Sequence, residues 1–292
     1  MRCISISKPI GTNQPPLRPF LSGPDSAPQD SEIQTKKTVL HVGIDDTDSP
    51  RKGCTTYIAA VLVQKLLELG CCFIDYPNLV RLNPNVPWKT RGNGAICLRF
   101  RCEKSNIELA VKTIVRVVKQ NSDLAHARAD PAIAYLKGDI PVELAIFSKK
   151  TIRGLVTVRE AEKVAARHGV SGVTIKGKKG FVGALAALGE QLRSDHTYEL
   201  IAYRLQRNTL RPRNIDSESV FRMNNETAPL TFNNLDPETN RILITPRGRD
   251  PILYGIRGET PSAVLQAHKI VKVNEEIERW VIFRTNHGTD DH

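Results

Sequence analysis

Three aspartates lie within four residues of each other, at Asp45, Asp46 and Asp48. They follow the apolar run 39–44, which predicts a buried strand that ends at the carboxylates. Crowded carboxylates repel one another unless a cation neutralises them, and Mg²⁺ prefers a few carboxylates together with substrate phosphates. In α/β sheets, ligands also gather at the carboxyl ends of strands. The spacing therefore indicates a magnesium site or, because Asp is common in turns, a cluster of turn and capping residues.

A helix is predicted to begin shortly after these acids, at Cys54-Thr55-Thr56, and to run over 55–69. A helix N-terminus presents free N–H groups and the positive end of a dipole, so it accepts a phosphate. The Thr55 hydroxyl could receive a phosphoryl group beside a metal held by the aspartates. A Thr before an apolar helix is also a common helix cap, so both roles stay open.

A second phosphate contact is predicted in the stretch KGKKGFVGA, which starts at Lys176. Its candidate residues are Lys178, Lys179, Gly180 and Gly183. Glycines let the backbone approach phosphates, and the lysines supply positive charge. The spacing is not that of a P-loop. A solvated basic turn is the alternative.

The loop from Arg81 to Gly94 is long for a connection inside a compact domain, which favours a functional role. Trp88 lies beside Lys89 and Arg91, a combination of ring and cations suited to a base or a nucleotide. The alternative is that Trp88 packs on the core.

The whole chain of 292 residues is basic, with 42 Lys+Arg against 31 Asp+Glu and a formal charge of +11. This balance favours a polyanionic partner. A group of arginines after a predicted strand is a candidate contact for an RNA backbone, or a solvated charged loop: Arg204, Arg207, Arg211 and Arg213. No apolar run is long enough to cross a bilayer, so no membrane role is expected. The six cysteines lack a C-x-x-C pair and are read as reduced thiols of a cytoplasmic protein.

Strands and helices mix along the predicted chain, so the expected fold class is α/β or α+β. The predicted strands are 39–44, 71–74, 79–82, 95–101, 132–135, 198–204, 242–245, 253–256 and 280–284. The predicted helices are 55–69, 107–119, 141–148, 158–168, 182–189 and 261–271. Residues 1–37 are proline-rich and polar, which predicts a disordered extension. The polar segment 206–238 receives no assignment.

Several short sequence motifs occur together in one order, and their combination identifies a family more specifically than any single motif does. They are residues 43–49 (GIDDTDS), 54–57 (CTTY), the loop 81–94, residues 180–189, 254–259 (YGIRGE) and 284–290 (RTNHGTD). Together they resemble the family of archaeal 2-agmatinylcytidine synthetases, which modify the wobble cytidine of the isoleucine tRNA with a CAU anticodon. The resemblance spans about residue 39 to the end of the chain.

The resemblance implies a domain organisation. Residues 38–195 would form a kinase-like ATP-binding domain, interrupted at about 71–140 by part of a ferredoxin-like domain, and residues 196–283 would form the ferredoxin-like domain. Residues 284–292 would begin an OB-fold, which a zinc ribbon follows in the family. We expect the chain to be truncated before these two modules, as a fragment or as a shortened relative. The oligomeric state is left open.

The resemblance also implies a reaction that uses ATP and Mg²⁺ on a tRNA. ATP would activate the 2-carbonyl oxygen of cytidine by phosphorylation, and the amine of agmatine would displace that phosphate. Asp45, Asp46 and Asp48 would hold the magnesium and the phosphates, and Thr55 matches the family's autophosphorylated threonine. The loop with Lys178, Lys179, Gly180 and Gly183 would lie near the nucleotide. The candidates for agmatine or RNA are Arg91, Gly92, Asn93, Gly94, Arg257 and Glu259.

Two other classes of function compete with this ligase. One is a non-catalytic relative that binds RNA or ATP, and the other is a kinase or synthetase that acts on a small molecule without RNA. Three crowded carboxylates argue against binding alone, and the basic charge argues against a substrate without RNA.

Overall fold

The computed structural model of the chain describes residues 37–193, 196–206, 212–245 and 252–286. Its strands are β1 (Lys37–Asp45), β2 (Cys72–Phe73), β3 (Asn78–Arg81), β4 (Gly94–Glu103), β5 (Ala132–Lys137), β6 (Ser171–Thr174), β7 (Thr197–Arg204), β8 (Thr231–Phe232), β9 (Ile252–Gly258) and β10 (Ile277–Thr285). Its helices are α1 (Thr55–Glu68), α2 (Ile107–Asn121), α3 (Val142–Arg153), α4 (Val158–Arg167), α5 (Gly180–Gly189), α6 (Ser217–Thr227) and α7 (Pro261–Ile270). Residues 1–36 of the predicted extension lie outside the described residues, as do Arg207, Arg211 and residues 287–292.

The ten strands form one sheet in the order β6-β5-β1-β4-β3-β10-β7-β9-β8, with β2 paired to β4. The pairing of β3 with β10 is parallel, and it joins Asn78 to Arg284 and Leu79 to Thr285. The neighbouring pairs β3–β4 and β10–β7 are antiparallel. The mixed α/β class predicted from the sequence is confirmed. The sheet is continuous across the predicted domain boundary at residue 195, and β10 extends past the boundary predicted at residue 283.

Helices cover both faces of the sheet, because the strands alternate which face each side chain joins. On one face, Leu40 and Ile44 of β1 share a core with Ile58 and Leu62 of α1. On the other face, small residues of α5 such as Ala184 pack with Ala134 of β5. A third core lies between the second half of the sheet and the helices α6 and α7.

The close approach of α5 to β1 depends on a glycine. A Cβ built at Gly43 would come within 1.9 Å of the carbonyl oxygen of Ala184. The backbone of α5 therefore lies directly on the middle of β1, and the first turn of α5 reaches the carboxyl end of that strand.

A buried pair of polar side chains ties β1 to β4 behind this helix. Arg99 donates a hydrogen bond to Nδ1 of His41 at 3.0 Å, and Nε2 of His41 donates to the carbonyl of Gly138 at 2.9 Å. This arrangement requires a neutral imidazole. Burial and then the Arg99 charge lower the pKa of His41 to about 4.

Several local predictions differ from the structure. The strand predicted at 242–245 is wrong, because Ile242 forms only an isolated bridge to Leu235. The unassigned segment 206–238 contains α6, whose N-cap Asp216 accepts hydrogen bonds from the N–H groups of Glu218 and Ser219. The exposed strand β6 was not predicted.

The prediction that the cysteines are reduced thiols is confirmed for four of them and wrong for one. Cys54, Cys71, Cys97 and Cys102 are buried thiols that form no disulfide. Cys72 is disulfide-bonded, so the prediction of reduced thiols is wrong at this residue. Among the described helices, none has the length and apolar character needed to span a membrane.

Candidate functional site

A cavity of about 560 Å³ opens at the carboxyl end of β1. Four segments form its walls: the acidic turn after β1, the loop between β3 and β4, the connection between α3 and α4, and the start of α5. Its lining includes Asp45, Asp46, Asp48, Leu82, Val86, Trp88, Lys89, Thr90, Gly92, Asn93, Gly94, Leu155, Val156, Lys179, Gly180 and Gly183. The structure thus brings three separated motifs of the sequence to one cavity.

The glycines at the start of α5 allow the helix to begin against the acids. A Cβ built at Gly183 would come within 1.9 Å of Oδ2 of Asp45, and one at Gly180 within 2.9 Å of Cβ of Asp46. Asp46 itself has a positive φ of 57°, a conformation that Asp and Asn tolerate better than most residues. The start of α5 can therefore pack against the acidic turn because Gly180 and Gly183 have no side chains.

Asp45 and Asp46 lie in surroundings that disfavour a negative charge on their carboxyl groups. Burial, followed by repulsion from Asp46, raises the pKa of Asp45 well above its usual value. Burial, followed by repulsion from Asp48 and Asp130, raises the pKa of Asp46 to about 7, although Lys179 opposes this shift. A bound cation would remove this repulsion, so Asp45 and Asp46 suit a divalent metal such as Mg²⁺.

Asp48 has a different role in the geometry. It accepts hydrogen bonds from Thr90 at 2.9 Å and from Nε of Arg91 at 2.7 Å, and Arg91 also reaches the carbonyl of Gly53. Within the described ranges, no group of three or more acidic, His or Cys side chains is placed to hold one metal ion. Asp48 thus holds the loop 83–94, which follows β3, and it lines the cavity together with Asp45 and Asp46.

Asp130 is a site residue that the sequence reasoning missed. Its buried carboxylate accepts hydrogen bonds from the backbone N–H groups of Gly177 and, at 2.8 Å, of Lys179. Its own N–H donates to the carbonyl of Asp46 at 3.1 Å. Asp130 thus connects the acidic turn to the basic glycine-containing loop. Nothing in the local sequence around Asp130 marks this role, because its partners lie far away in the chain.

Thr55 is the first residue of α1 and lies behind the acidic turn. Its hydroxyl is 2.9 Å from the hydroxyl of Thr47, and both side chains are buried. Cys54, rather than a threonine, occupies the N-cap position and makes no side-chain capping bond. Neither Thr55 nor Thr47 is among the described residues that line the cavity.

The other predicted site residues divide into two groups. Gly92, Asn93 and Gly94 line the cavity together with Lys179. Four residues are not part of its described lining: Arg91, Lys178, Arg257 and Glu259. Lys178 pairs with Glu162 at 2.7 Å. Arg257 lies 3.8 Å from Glu199, which also pairs with Arg81.

The lining of the cavity combines two kinds of surface. Asp45, Asp46 and Lys179 supply charge. Leu155 and the half-exposed Trp88 supply apolar surface. Because Trp88 remains 49% exposed, the alternative that it packs on the core is wrong. This combination fits a nucleoside phosphate, with its phosphates near a metal and its base near the apolar side chains.

Two family models match the chain. The model described as TiaS TCKD domain matches residues 41–107, and the model described as TiaS FLD domain matches residues 178–292. The first range contains the acidic turn, Thr55 and the loop 83–94. The second begins at Lys178 and contains α5.

Curated relatives share much of the sequence. The 2-agmatinylcytidine synthetase TiaS of Pyrococcus horikoshii, named for the second isoleucine tRNA, is 44% identical over 254 residues, which cover 87% of this chain and 59% of the relative. The protein of the same name from Methanocaldococcus jannaschii is 40% identical over 262 residues, covering 87% of this chain and 60% of the relative. The chain thus spans about 60% of the length of these relatives.

Solved structures agree with the sequence matches. The complex of TiaS with the second isoleucine tRNA and ATP superposes with a TM-score of 0.79 at 38% identity, covering 86% of this chain and 60% of that one. The complex of TiaS with the same tRNA, AMPCPP and agmatine superposes with a TM-score of 0.79 at 35% identity, covering 87% and 61%.

Proposed function

Because the chain belongs to the TiaS family of 2-agmatinylcytidine synthetases, we propose that it is an ATP-dependent ligase that joins agmatine to the wobble cytidine of the isoleucine tRNA with a CAU anticodon. The relatives whose structures were solved were captured with the second isoleucine tRNA, with ATP and with agmatine. The observation on this chain that supports the proposal most directly is the cavity that brings Asp45, Asp46, Lys179, Gly180 and Gly183 together.

The proposed chemistry makes a poor leaving group into a good one. The 2-carbonyl oxygen of cytidine leaves badly, and its phosphorylation by ATP turns it into a phosphate. The amine of agmatine then forms a bond to C2 and loses a proton, and the C2–O bond breaks with release of that phosphate; ATP ends as AMP and two phosphates. Cations such as Lys179 stabilise the charge that develops on the transferred phosphoryl group.

In this proposal ATP is the cofactor that enters the cavity, and Mg²⁺ is bound by Asp45 and Asp46. The metal would neutralise the phosphates and the two carboxylates whose pKa values are raised. Gly180 and Gly183 line the same region and keep side chains out of it. Asp48 is proposed as a third carboxylate at this metal site, and it also holds the loop 83–94 through Arg91.

We further propose the domain division implied by the resemblance, with the ATP site between residues 38 and 195 and a ferredoxin-like part from residue 196. A cytoplasmic location is proposed as well, because the tRNA and ATP are found there. Thr55 is proposed as the autophosphorylated residue, since its hydroxyl lies 2.9 Å from the hydroxyl of Thr47 in the acidic turn.

The test is an assay with unmodified isoleucine tRNA, ATP, Mg²⁺ and agmatine, read by the mass of the wobble nucleoside. The expected product carries agmatine on the cytidine, and Asp46→Asn abolishes it. Two control reactions omit ATP or agmatine. ATP consumption that needs no tRNA and yields no modified nucleoside would instead identify an ATP-using relative without RNA activity.

A further inference from the structure

Trp88 is a large aromatic side chain in the lining of the cavity. It is 49% exposed, whereas large aromatic side chains are mostly buried in folded proteins. Its exposed surface therefore adjoins the proposed reaction site. Ligand pockets combine aromatic side chains with a few polar groups, so an aromatic ring at this place is suited to contact a ligand.

The position of Trp88 is fixed by the residues around it. The N–H of Lys89 donates to the carbonyl of Val86 at 3.3 Å, which closes a turn around Trp88. Immediately after this turn, Thr90 and Arg91 are both bonded to the carboxylate of Asp48. These bonds hold the backbone on both sides of Trp88 beside the cavity.

A second exposed apolar residue lines the same cavity. Leu155, in the connection between α3 and α4, is 56% exposed. Val86 and Val156 add further aliphatic surface to the lining. The lining thus combines one aromatic ring and several aliphatic side chains with the acids and Lys179.

We propose that Trp88 stacks on a nucleobase that enters this cavity, and that Leu155 contributes to the same base-binding surface. The proposal rests on the proposed function and names the residues that bind a base there. Every nucleobase presents a flat π-face, and stacking on an exposed aromatic side chain is a common way for proteins to bind it. The base belongs to ATP or to the RNA, since both carry the same chemistry.

Fluorescence tests this directly, because the chain has only two tryptophans, Trp88 and Trp280. Trp280 lies in the second half of the sheet beside His268, outside the described cavity lining. The variant Trp280→Phe therefore leaves Trp88 as the only tryptophan. Its emission is followed while four ligands are added: a non-hydrolysable ATP analogue, inorganic tripolyphosphate, the unmodified anticodon stem-loop, and the same stem-loop without a base at the wobble position.

The expected result is quenching by a ligand that carries the base and none by its partner that lacks it. Quenching by the ATP analogue but not by tripolyphosphate identifies adenine as the stacked base. Quenching by the intact stem-loop but not by the abasic one identifies the wobble base. Binding of each ligand is measured separately by calorimetry.

Two failures are distinguishable. If the ATP analogue and the stem-loop bind without changing the emission of Trp88, the stacking inference is overturned and the proposed function stands. If neither ligand binds, both are overturned.

Affinity provides a second measurement. Trp88→Ala is expected to weaken binding of the base-carrying ligand by about ten-fold to one-hundred-fold, whereas Trp88→Phe retains most of the affinity. Leu109→Ala is the matched control, because Leu109 is 50% exposed on α2 and is not part of the described cavity lining. Equal loss of affinity for tripolyphosphate in Trp88→Ala would show a general disturbance of the loop and overturn the inference.

Discussion

The carboxylate of Asp45 occupies the space that a side chain at residue 183 would need. A Cβ at Gly183 would come within 1.9 Å of Oδ2 of Asp45 and within 3.0 Å of the side chain of Leu82. The position of the Asp45 carboxylate therefore requires that residue 183 of α5 has no side chain.

Gly183→Ala is expected to push Asp45 out of place and to remove most ATP turnover. Overpacking of this kind costs about 1–3 kcal/mol of stability, partly offset by the better helix propensity of Ala. Gly189→Ala is the matched control, because its Cβ would meet the carbonyl oxygen of Leu144 at the far end of the same helix. Both variants should unfold at lower temperature than the native chain, but only Gly183→Ala should lose ATP affinity in calorimetry. Equal affinity in both would contradict the proposed role of Asp45.

Asp46→Asn is expected to stop ATP turnover without loss of stability. Burial and the neighbouring carboxylates disfavour the charge on Asp46, and Asn tolerates the positive φ at this residue. Thermal unfolding should therefore give a melting temperature at least as high as that of the native chain. Added Mg²⁺ with an ATP analogue should raise this temperature in the native chain and much less in the variant. Normal ATP turnover in this variant would show that Asp46 only shapes the turn and takes no part in the reaction.

Asp130→Asn is expected to loosen the loop 177–179. The amide can replace only one of the two acceptors used by Gly177 and Lys179, and an unsatisfied buried N–H costs about 1–3 kcal/mol. We expect a lower melting temperature and a KM for ATP raised several-fold. Asp139→Asn is the control, because Asp139 is exposed on the turn after β5. If the KM stays unchanged while stability falls, Asp130 has only a structural role.

Incubation with γ-labelled ATP and Mg²⁺ is expected to label the chain, and Thr55→Val should abolish the label. The hydroxyl of Thr47 lies 2.9 Å from that of Thr55, so the labelled peptide must be identified by mass spectrometry. Thr56→Val provides the adjacent control and should still be labelled. Unchanged labelling in Thr55→Val would remove this residue from the mechanism.

Acid is expected to weaken the fold through His41. Its pKa is about 4 in the folded chain against about 6.5 when unfolded, so below pH 6.5 the unfolded chain binds more protons. The free energy of unfolding should therefore fall as the pH drops from 6.5 to 4, by about 3 kcal/mol from this residue. Above pH 6.5 His41 has no effect on the slope. Urea unfolding of His41→Gln across this range should show a shallower decline, and an identical decline would assign the effect to other groups.

The sequence predicted those parts of the fold whose signals are local. The strand before Asp45 and the helix from Thr55 follow from short apolar patterns, and the structure has both within two residues of the predicted ends. Strand β6 was missed because Ser171–Thr174 is short and mostly exposed, so it lacks the apolar run of a buried strand. Helix α6 carries a readable signal in its N-cap Asp216, but polar residues surround it.

The sequence predicted the motifs that form the site, but it did not predict which side chains of these motifs contact one another. The acidic turn, the loop 83–94 and the start of α5 were each singled out, and they do meet at one cavity. Which partner each side chain takes depends on distances in space. Asp48 therefore pairs with Arg91, and Asp130 organises a loop 47 residues further along the chain. Patterns within a short window contain no information on such pairs.

The parallel seam between β3 and β10 has a mechanical consequence. The side chain of Asn286, just after β10, donates to the carbonyl of Arg81 and accepts from its N–H, and Arg284 pairs with Asp75. Arg81 directly precedes Leu82, which lines the cavity. A displacement of β10 would thus reach Leu82 in the cavity wall through a few hydrogen bonds and the covalent bond between Arg81 and Leu82. A large ligand that binds the second half of the sheet would therefore alter the shape of the cavity.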